Sequence, residues 1–175
     1  LWLWKMGEKG PDCDRRALDK ATLDKIGLDR KILVSYCGIP HESKDINSRW
    51  VRAFIKGENR KQFAGIAGMV SAFFRALETG RIDEAVTLMN QETRIRLEMT
   101  PDVLDRTGMQ LYEAAARTGC GARFTGAGGG GCVWALGPGQ CIDRLRPLWQ
   151  EVLNCIPDAT ILDTRIDDKG LISTY

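Results

Sequence analysis

The sequence predicts an α+β fold: a mainly antiparallel sheet of about four strands, helices packed on one face, and an N-terminal hairpin in front. Three observations predict it. Short β-branched or aromatic runs occur early and late in the chain, with helical segments clustered between them. The helical segments repeat apolar residues at i, i+3, i+4 and i+7, the stripe of a helix packed on a core. No internal repeat, low-complexity tract or interdomain linker interrupts the 175 residues, a length that suits one ordinary domain.

Residues 1–18 have hairpin character. Leu1 to Met6 is apolar and aromatic, Gly7 to Pro11 supplies turn chemistry, and Arg15 to Leu18 is expected to return. Ile32-Leu33-Val34-Ser35-Tyr36-Cys37 is a clearer strand, stopped by Gly38 and Pro40. Three helices are expected next. The first, Lys61 to Thr79, places Phe63, Ile66, Ala67, Val70, Phe73, Phe74 and Leu77 on one face and ends at Gly80. The second, Arg81 to about Met99, opens with Asp83 and Glu84, whose charge suits a helix N-terminus. Thr100-Pro101-Asp102 predicts the start of the third, with threonine as N-cap and proline at the first helical position, running to Arg117. Two strands, Ala122 to Thr125 and Cys132 to Leu136, are joined by Gly126-Ala127-Gly128-Gly129-Gly130-Gly131. Residues 140–153 are helical through Ile142, Leu145, Leu148, Trp149 and Val152, with Pro147 expected to kink or split the helix. A last strand spans Thr160 to Ile166.

Composition narrows the function. With 43% hydrophobic and 27% charged residues, the chain has the make-up of a water-soluble globular domain. A net charge of +2 gives no reason to expect a nucleic-acid surface, and no apolar run reaches the length of a membrane span. The stretch from His41 to Gln62 is mildly basic, which suits a solvated helix face or a positive field near a phosphorylated ligand. Six cysteines without a C-x-x-C pair, and a single histidine, argue against a zinc site. The cysteines suit reduced, mostly buried packing residues, Cys120 and Cys132 included, and the cytoplasm is the default compartment. Single carboxylates such as Asp45 and Asp163 suit surface or capping roles, and His41 a loop. The opening Leu1-Trp2-Leu3-Trp4 has no initiator methionine and no targeting character, so a preceding segment is expected.

One motif carries chemistry. Thr125-Gly126-Ala127-Gly128-Gly129-Gly130-Gly131 holds five glycines in its last six positions, which frees the backbone to adopt positive φ and to approach another group closely. Successive N–H groups in such a loop can cradle anionic oxygens. A hairpin turn without a ligand is the plain alternative, yet two residues would make that turn at lower entropic cost. Gly126, Gly128 and Gly131 also satisfy G-x-G-x-x-G. A dinucleotide site needs a helix after the loop, whereas Cys132 to Leu136 has strand character. A G-x-x-x-x-G-K-[ST] phosphate loop is missing from the sequence.

Arg123-Phe124-Thr125-Gly126-Ala127-Gly128-Gly129-Gly130-Gly131-Cys132 resembles the third conserved motif of the GHMP kinases, the superfamily of galactokinase, homoserine kinase, mevalonate kinase and phosphomevalonate kinase. Leu33 to His41 resembles the strand and loop that open that family's C-terminal domain, especially in galactokinase-like and heptose-phosphate-kinase-like members. Ser43 to Trp50 loosely resembles a Ser-Gly-x-Asn-Asn-Trp stretch of the sugar-kinase relatives, with imperfect spacing, and Arg165 to Leu171 resembles the end of such proteins. The resemblance implies a ferredoxin-like C-terminal domain over residues 31–175, with residues 1–30 a hairpin and connection from an N-terminal kinase domain. It implies an ATP-dependent kinase acting on a sugar or sugar phosphate, with Thr125 to Gly131 either lining the nucleotide–substrate cleft near the terminal phosphates or bracing the family's main phosphate loop, and with the Thr125 hydroxyl as an extra donor. The methyl of Ala127 is the largest side group expected in mid-loop.

The family's main Pro-x-x-x-Gly-Leu-Gly-Ser-Ser-Ala phosphate loop does not occur in these residues. That loop, the catalytic residue and most of the Mg2+ site are therefore expected in the N-terminal domain, which becomes the principal partner. No catalytic or metal residue is assigned here. The isolated chain is expected to be inactive and to self-associate through an apolar docking surface. A non-enzymatic metabolite-binding or interaction module is the alternative class.

Overall fold

The computed structural model describes residues 2–7, 10–15, 20–40 and 43–167. Two strands, β1 (Trp2–Gly7) and β2 (Gly10–Arg15), pair antiparallel as a separate hairpin. The return strand thus begins at Gly10, ahead of the expected Arg15, and residues 16–19 lie outside the described set. A short helix α1 (Lys20–Ile26) and a 3-10 turn (Leu28–Arg30) lead into the main sheet.

That sheet has four strands, all antiparallel, in the order β4-β5-β3-β6. Strand β3 (Ile32–Tyr36) sits between β5 (Cys132–Leu136) and β6 (Thr160–Leu162), and β4 (Gly121–Phe124) pairs outside β5. Strand β6 stops at Leu162, short of the expected Ile166. Beyond it the chain is irregular, and the Ile166 amide donates to the Asp29 carboxylate at 2.8 Å.

Between β3 and β4 run α2 (Ser43–Ile55), α3 (Arg60–Glu78), α4 (Ile82–Met99) and α5 (Arg106–Arg117). Helix α2 is one more than the sequence predicts. Ile46 is buried, while Val51, Phe54 and Ile55 are exposed. After β5, α6 (Gly139–Leu153) runs unbroken through Pro147. Its apolar side, Ile142, Leu145, Trp149 and Leu153, is anchored by the Trp149 indole N–H donating to the Leu111 carbonyl at 3.0 Å.

Thr100 does not cap α5. Pro101–Val103 forms a 3-10 turn, and Leu104 then extends (φ −113°, ψ 127°), breaking the helical path so that Val103 and Leu104 bury in the core. The N-cap is Asp105, whose carboxylate accepts from the Gly108 amide at 2.6 Å.

Alternation along the strands divides the core. Leu33, Phe124, Val133 and Ala135 face α5 and α6. Trp134 and Leu136 join Leu28 and the α3–α4 pair in a second cluster, with Phe73 edge-on to Trp134. Helix α4 also closes the free edge of β4. The Ala122 amide donates to Asn90 Oδ1 at 3.3 Å, and the Ala122 carbonyl accepts from Thr93 Oγ1 at 3.0 Å. An edge strand's unpaired groups invite foreign pairing, and here two side chains occupy them. The approach is close: a Cβ at Gly121 would lie 3.0 Å from the Val86 carbonyl oxygen.

Thr93→Val keeps the shape and removes the donor, leaving the buried Ala122 carbonyl unsatisfied. Urea denaturation should show a loss of about 1–3 kcal/mol.

Candidate functional site: the glycine loop

The loop between β4 and β5 has φ of 62° at Gly126, 82° at Gly128, 77° at Gly129, 125° at Gly130 and 78° at Gly131. Such angles are costly for any residue with a Cβ, so the backbone path itself demands the glycine run. The loop passes directly into β5, a strand rather than a helix, which removes the geometry a dinucleotide site needs.

Two neighbouring segments hold it. The Gly129 amide donates to the Val103 carbonyl at 2.8 Å, and the Gly131 amide donates to the Ile39 carbonyl at 2.9 Å. The Cys37 amide returns a bond to the Gly131 carbonyl at 2.9 Å, extending the β3–β5 pairing by one step. A Cβ at Gly128 would stand 2.3 Å from the Val103 carbonyl oxygen, closer than any real contact. The loop is therefore seated on the 101–103 turn by backbone touching backbone.

Within this grip, Gly128 donates to the Thr125 carbonyl at 3.4 Å. Among the described residues, the amides of Gly126, Ala127 and Gly130 donate to no protein acceptor. Ala127 is only 5% exposed, and native proteins avoid leaving such amides unpaired. Unpartnered N–H groups in a loop of positive-φ glycines, Gly126 and Gly130 among them, suit an anionic oxygen ligand. The expected mid-loop methyl does bury, whereas the Thr125 hydroxyl spends its one proton on the Cys132 carbonyl, at 3.1 Å.

Side chains around the loop tie it to the helices. Ile46 of α2 packs against Gly129. Next to it, Arg49 donates twice to Asp102, at 3.0 and 2.6 Å, and the Trp50 indole donates to the Thr100 hydroxyl at 2.7 Å. The Arg49 hydrogen bonds hold the Asp102 carboxyl below its ordinary range. Their contribution is therefore present at neutral pH and lost only as pH falls below the usual carboxylate pKa. Behind β4, Glu92 is 7% exposed and pairs with Arg96 at 2.9 Å and Arg123 at 2.8 Å. His41 lies outside the described residues. Asp45 is an exposed partner of Arg49 at 3.2 Å, matching its expected surface role.

Cys37 is buried, and burial first, then the nearby Asp105 carboxylate, pushes its thiol up to about 12. Cys120 is buried as well, and burial raises its thiol. Among the described residues no group of three or more histidine, cysteine or acidic side chains could hold a metal ion. No helix among them is long and apolar enough to cross a membrane.

Residues 73–146 match the family model described as GHMP kinases C terminal, a span that contains α4, α5, the glycine loop and most of α6. Over that span the chain is similar to a GHMP kinase C-terminal domain. Solved structures agree in fold. L. major mevalonate kinase in complex with R-mevalonate aligns over 92% of this chain at 20% identity, with a TM-score of 0.67. Streptococcus pneumoniae phosphomevalonate kinase aligns over 75% at 19% identity and a TM-score of 0.62. Lactococcus lactis galactokinase complexed with galactose aligns over 75% at 20% identity and a TM-score of 0.57. The chain spans 47%, 38% and 44% of those three chains, respectively. Among curated proteins none matches it.

The loop is legible in the sequence, but its supports are not. Val103 and Ile39 act through carbonyl oxygens, which no side-chain pattern reports. Trp50 stood at the end of a loosely matched stretch, and only the fold gives it contacts.

Gly128→Ala should cost about 1–3 kcal/mol through strain and displacement of the Val103 turn. Gly65→Ala, in α3 with no atom within 4 Å of the new methyl, should be neutral or stabilising by up to about 1 kcal/mol. Paired thermal melts distinguish the two.

The raised Cys37 thiol adds stability that is fully present below its ordinary 9.0 and lost as pH climbs toward about 12. Iodoacetamide at pH 8 should label exposed Cys155 in the native chain and Cys37 only after unfolding, as read by peptide mass mapping.

Proposed function

We propose that this chain is the C-terminal part of an ATP-dependent small-molecule kinase, in which residues Thr125 to Gly131 serve the phosphates of the nucleotide. The observation that carries this reading is the set of unpartnered amides at Gly126, Ala127 and Gly130, in a domain of the GHMP kinase C-terminal type. Among the fold neighbours, Streptococcus pneumoniae phosphomevalonate kinase has been solved with AMPPNP, which supports an adenine nucleotide here.

Phosphoryl transfer is mainly positioning and neutralisation of charge on the moving group. This chain's part is to present fixed N–H dipoles to phosphate oxygens, donors that need no reorganisation as charge develops. Magnesium, when bound, would supply positive charge that offsets the charge of the phosphates. Its ligands and the catalytic group are proposed to come from an N-terminal kinase domain, as the family resemblance implies.

The acceptor is proposed to be a sugar or sugar phosphate. Support comes from Leu33 to His41 and Ser43 to Trp50, the stretches that resemble galactokinase-like and heptose-phosphate-kinase-like members. The apolar residues left exposed on α2, Val51, Phe54 and Ile55, suit burial against a further domain or a second copy.

Coupled measurement of ADP release with a panel of hexoses, hexose phosphates and heptose phosphates tests the assignment. The pure chain should give no turnover. Together with an N-terminal GHMP kinase domain from its own coding region, it should consume ATP in an acceptor-dependent way. Turnover by the chain alone would overturn the division of labour, and turnover with mevalonate but no sugar would overturn the acceptor class.

A further inference from the structure

Helix α2 is lightly held. Ile46 is its buried residue, whereas Val51, Phe54 and Ile55 are 57%, 58% and 74% exposed. Beside the Ile46 contact with Gly129 and the edge-on Phe54–Phe63 contact with α3, two adjacent side chains, Arg49 and Trp50, make polar attachments, and both reach the same short turn. Arg49 grips Asp102, and Trp50 grips Thr100, the residues on either side of Pro101. One residue further on, the Val103 carbonyl holds the Gly129 amide. Helix α2, turn and glycine loop thus form one mechanical series.

Trp50 has a second arm. Its ring lies under the Arg96 guanidinium, 4.6 Å from ring centroid to Cζ. Arg96 pairs with buried Glu92, and Glu92 with Arg123, two residues before the loop opens at Thr125. The indole edge therefore bears on the turn beneath the loop, and the indole face bears on the strand that enters it.

Magnitudes separate the two attachments. The Arg49–Asp102 pair has side chains 37% and 61% exposed, and ion pairs so solvated contribute little. The Trp50–Thr100 bond is part-buried and Thr100 is 3% exposed, so losing that bond leaves a group which water cannot readily serve. The cation–π contact backed by a buried carboxylate adds to it.

We propose that Trp50 is a positioning residue for the glycine loop, fixing the 100–103 turn and with it the spacing of the amides that would meet phosphate. A run of glycines has little conformational preference of its own, so its geometry must be imposed from outside. Donors act as a preorganised set only when that spacing is fixed. This inference rests on reading the loop as a phosphate site, and its test separates the two ideas.

Amide hydrogen exchange, resolved by residue in the full 175-residue chain, reads the mechanical part without any ligand. Trp50→Phe removes the indole donor, and Thr100→Val removes the acceptor at the other end of the same bond. Each should speed exchange at Gly129 by roughly tenfold. The Gly131 amide, held by Ile39, should keep its rate, and Thr100→Ser should restore Gly129 to the parent rate. Unchanged Gly129 exchange in both variants overturns the proposal, as does a uniform rise at Gly129 and Gly131, which would mean general loosening.

Affinity for inorganic pyrophosphate, measured by calorimetry on the same proteins, reads the functional part. Trp50→Phe and Thr100→Val should weaken it by about tenfold, and Thr100→Ser should not. Full affinity in a variant whose Gly129 amide has loosened overturns the positioning role. A parent chain that binds no pyrophosphate contradicts the phosphate-site reading instead, and the exchange data still decide whether Trp50 orders the loop.

Discussion

The structure depends on one close backbone contact, the seating of Gly128 and Gly129 on the carbonyl oxygen of Val103. It fixes where the glycine loop lies, and it explains why neither chain segment tolerates bulk there. A side chain at position 128 would occupy the volume of the carbonyl that the next amide uses. It also accounts for the break between α4 and α5. Had Thr100 to Arg117 run as one helix, the Val103 carbonyl would have been committed within it. The 3-10 turn and extended Leu104 release that oxygen for Gly129.

Around that contact, the molecule repeatedly satisfies backbone groups with elements distant in sequence. Asn90 and Thr93 of α4 act as the missing neighbour of edge strand β4. Asp105 caps α5, and the Trp149 indole meets the Leu111 carbonyl between α5 and α6. Against this background of paired groups, the unpartnered amides at Gly126, Ala127 and Gly130 stand out.

Much of the fold was legible in the sequence, for identifiable reasons. Helices α3, α4 and α6 carry long one-sided stripes, although Ala67 and Val70 of α3 and Leu148 of α6 stay exposed, and β3 and β5 are dense in β-branched or aromatic residues between strong stops. Helix α2 was missed although Ile46, Trp50, Ala53 and Phe54 keep helical spacing, because the many basic residues of the stretch marked it only as a charged segment. Thr100-Pro101-Asp102 carries every local mark of a helix start, yet tertiary demand for Leu104 in the core moves the cap to Asp105. The candidate site divides the same way. Glycine chemistry advertises the loop, but its supports are carbonyl oxygens at Ile39 and Val103, and Trp50 acquires its contacts only when α2 meets α4 and the turn.

The central claim is that free amides of this loop receive phosphate oxygens. An amide-resolved NMR titration of the chain with ATP addresses it most directly. The account predicts the largest shifts at Gly126, Ala127 and Gly130, with Gly129 and Gly131 moving less because each already donates to a carbonyl. Saturating ATP that leaves those three resonances in place, or shifts cluster elsewhere on the surface, would contradict it.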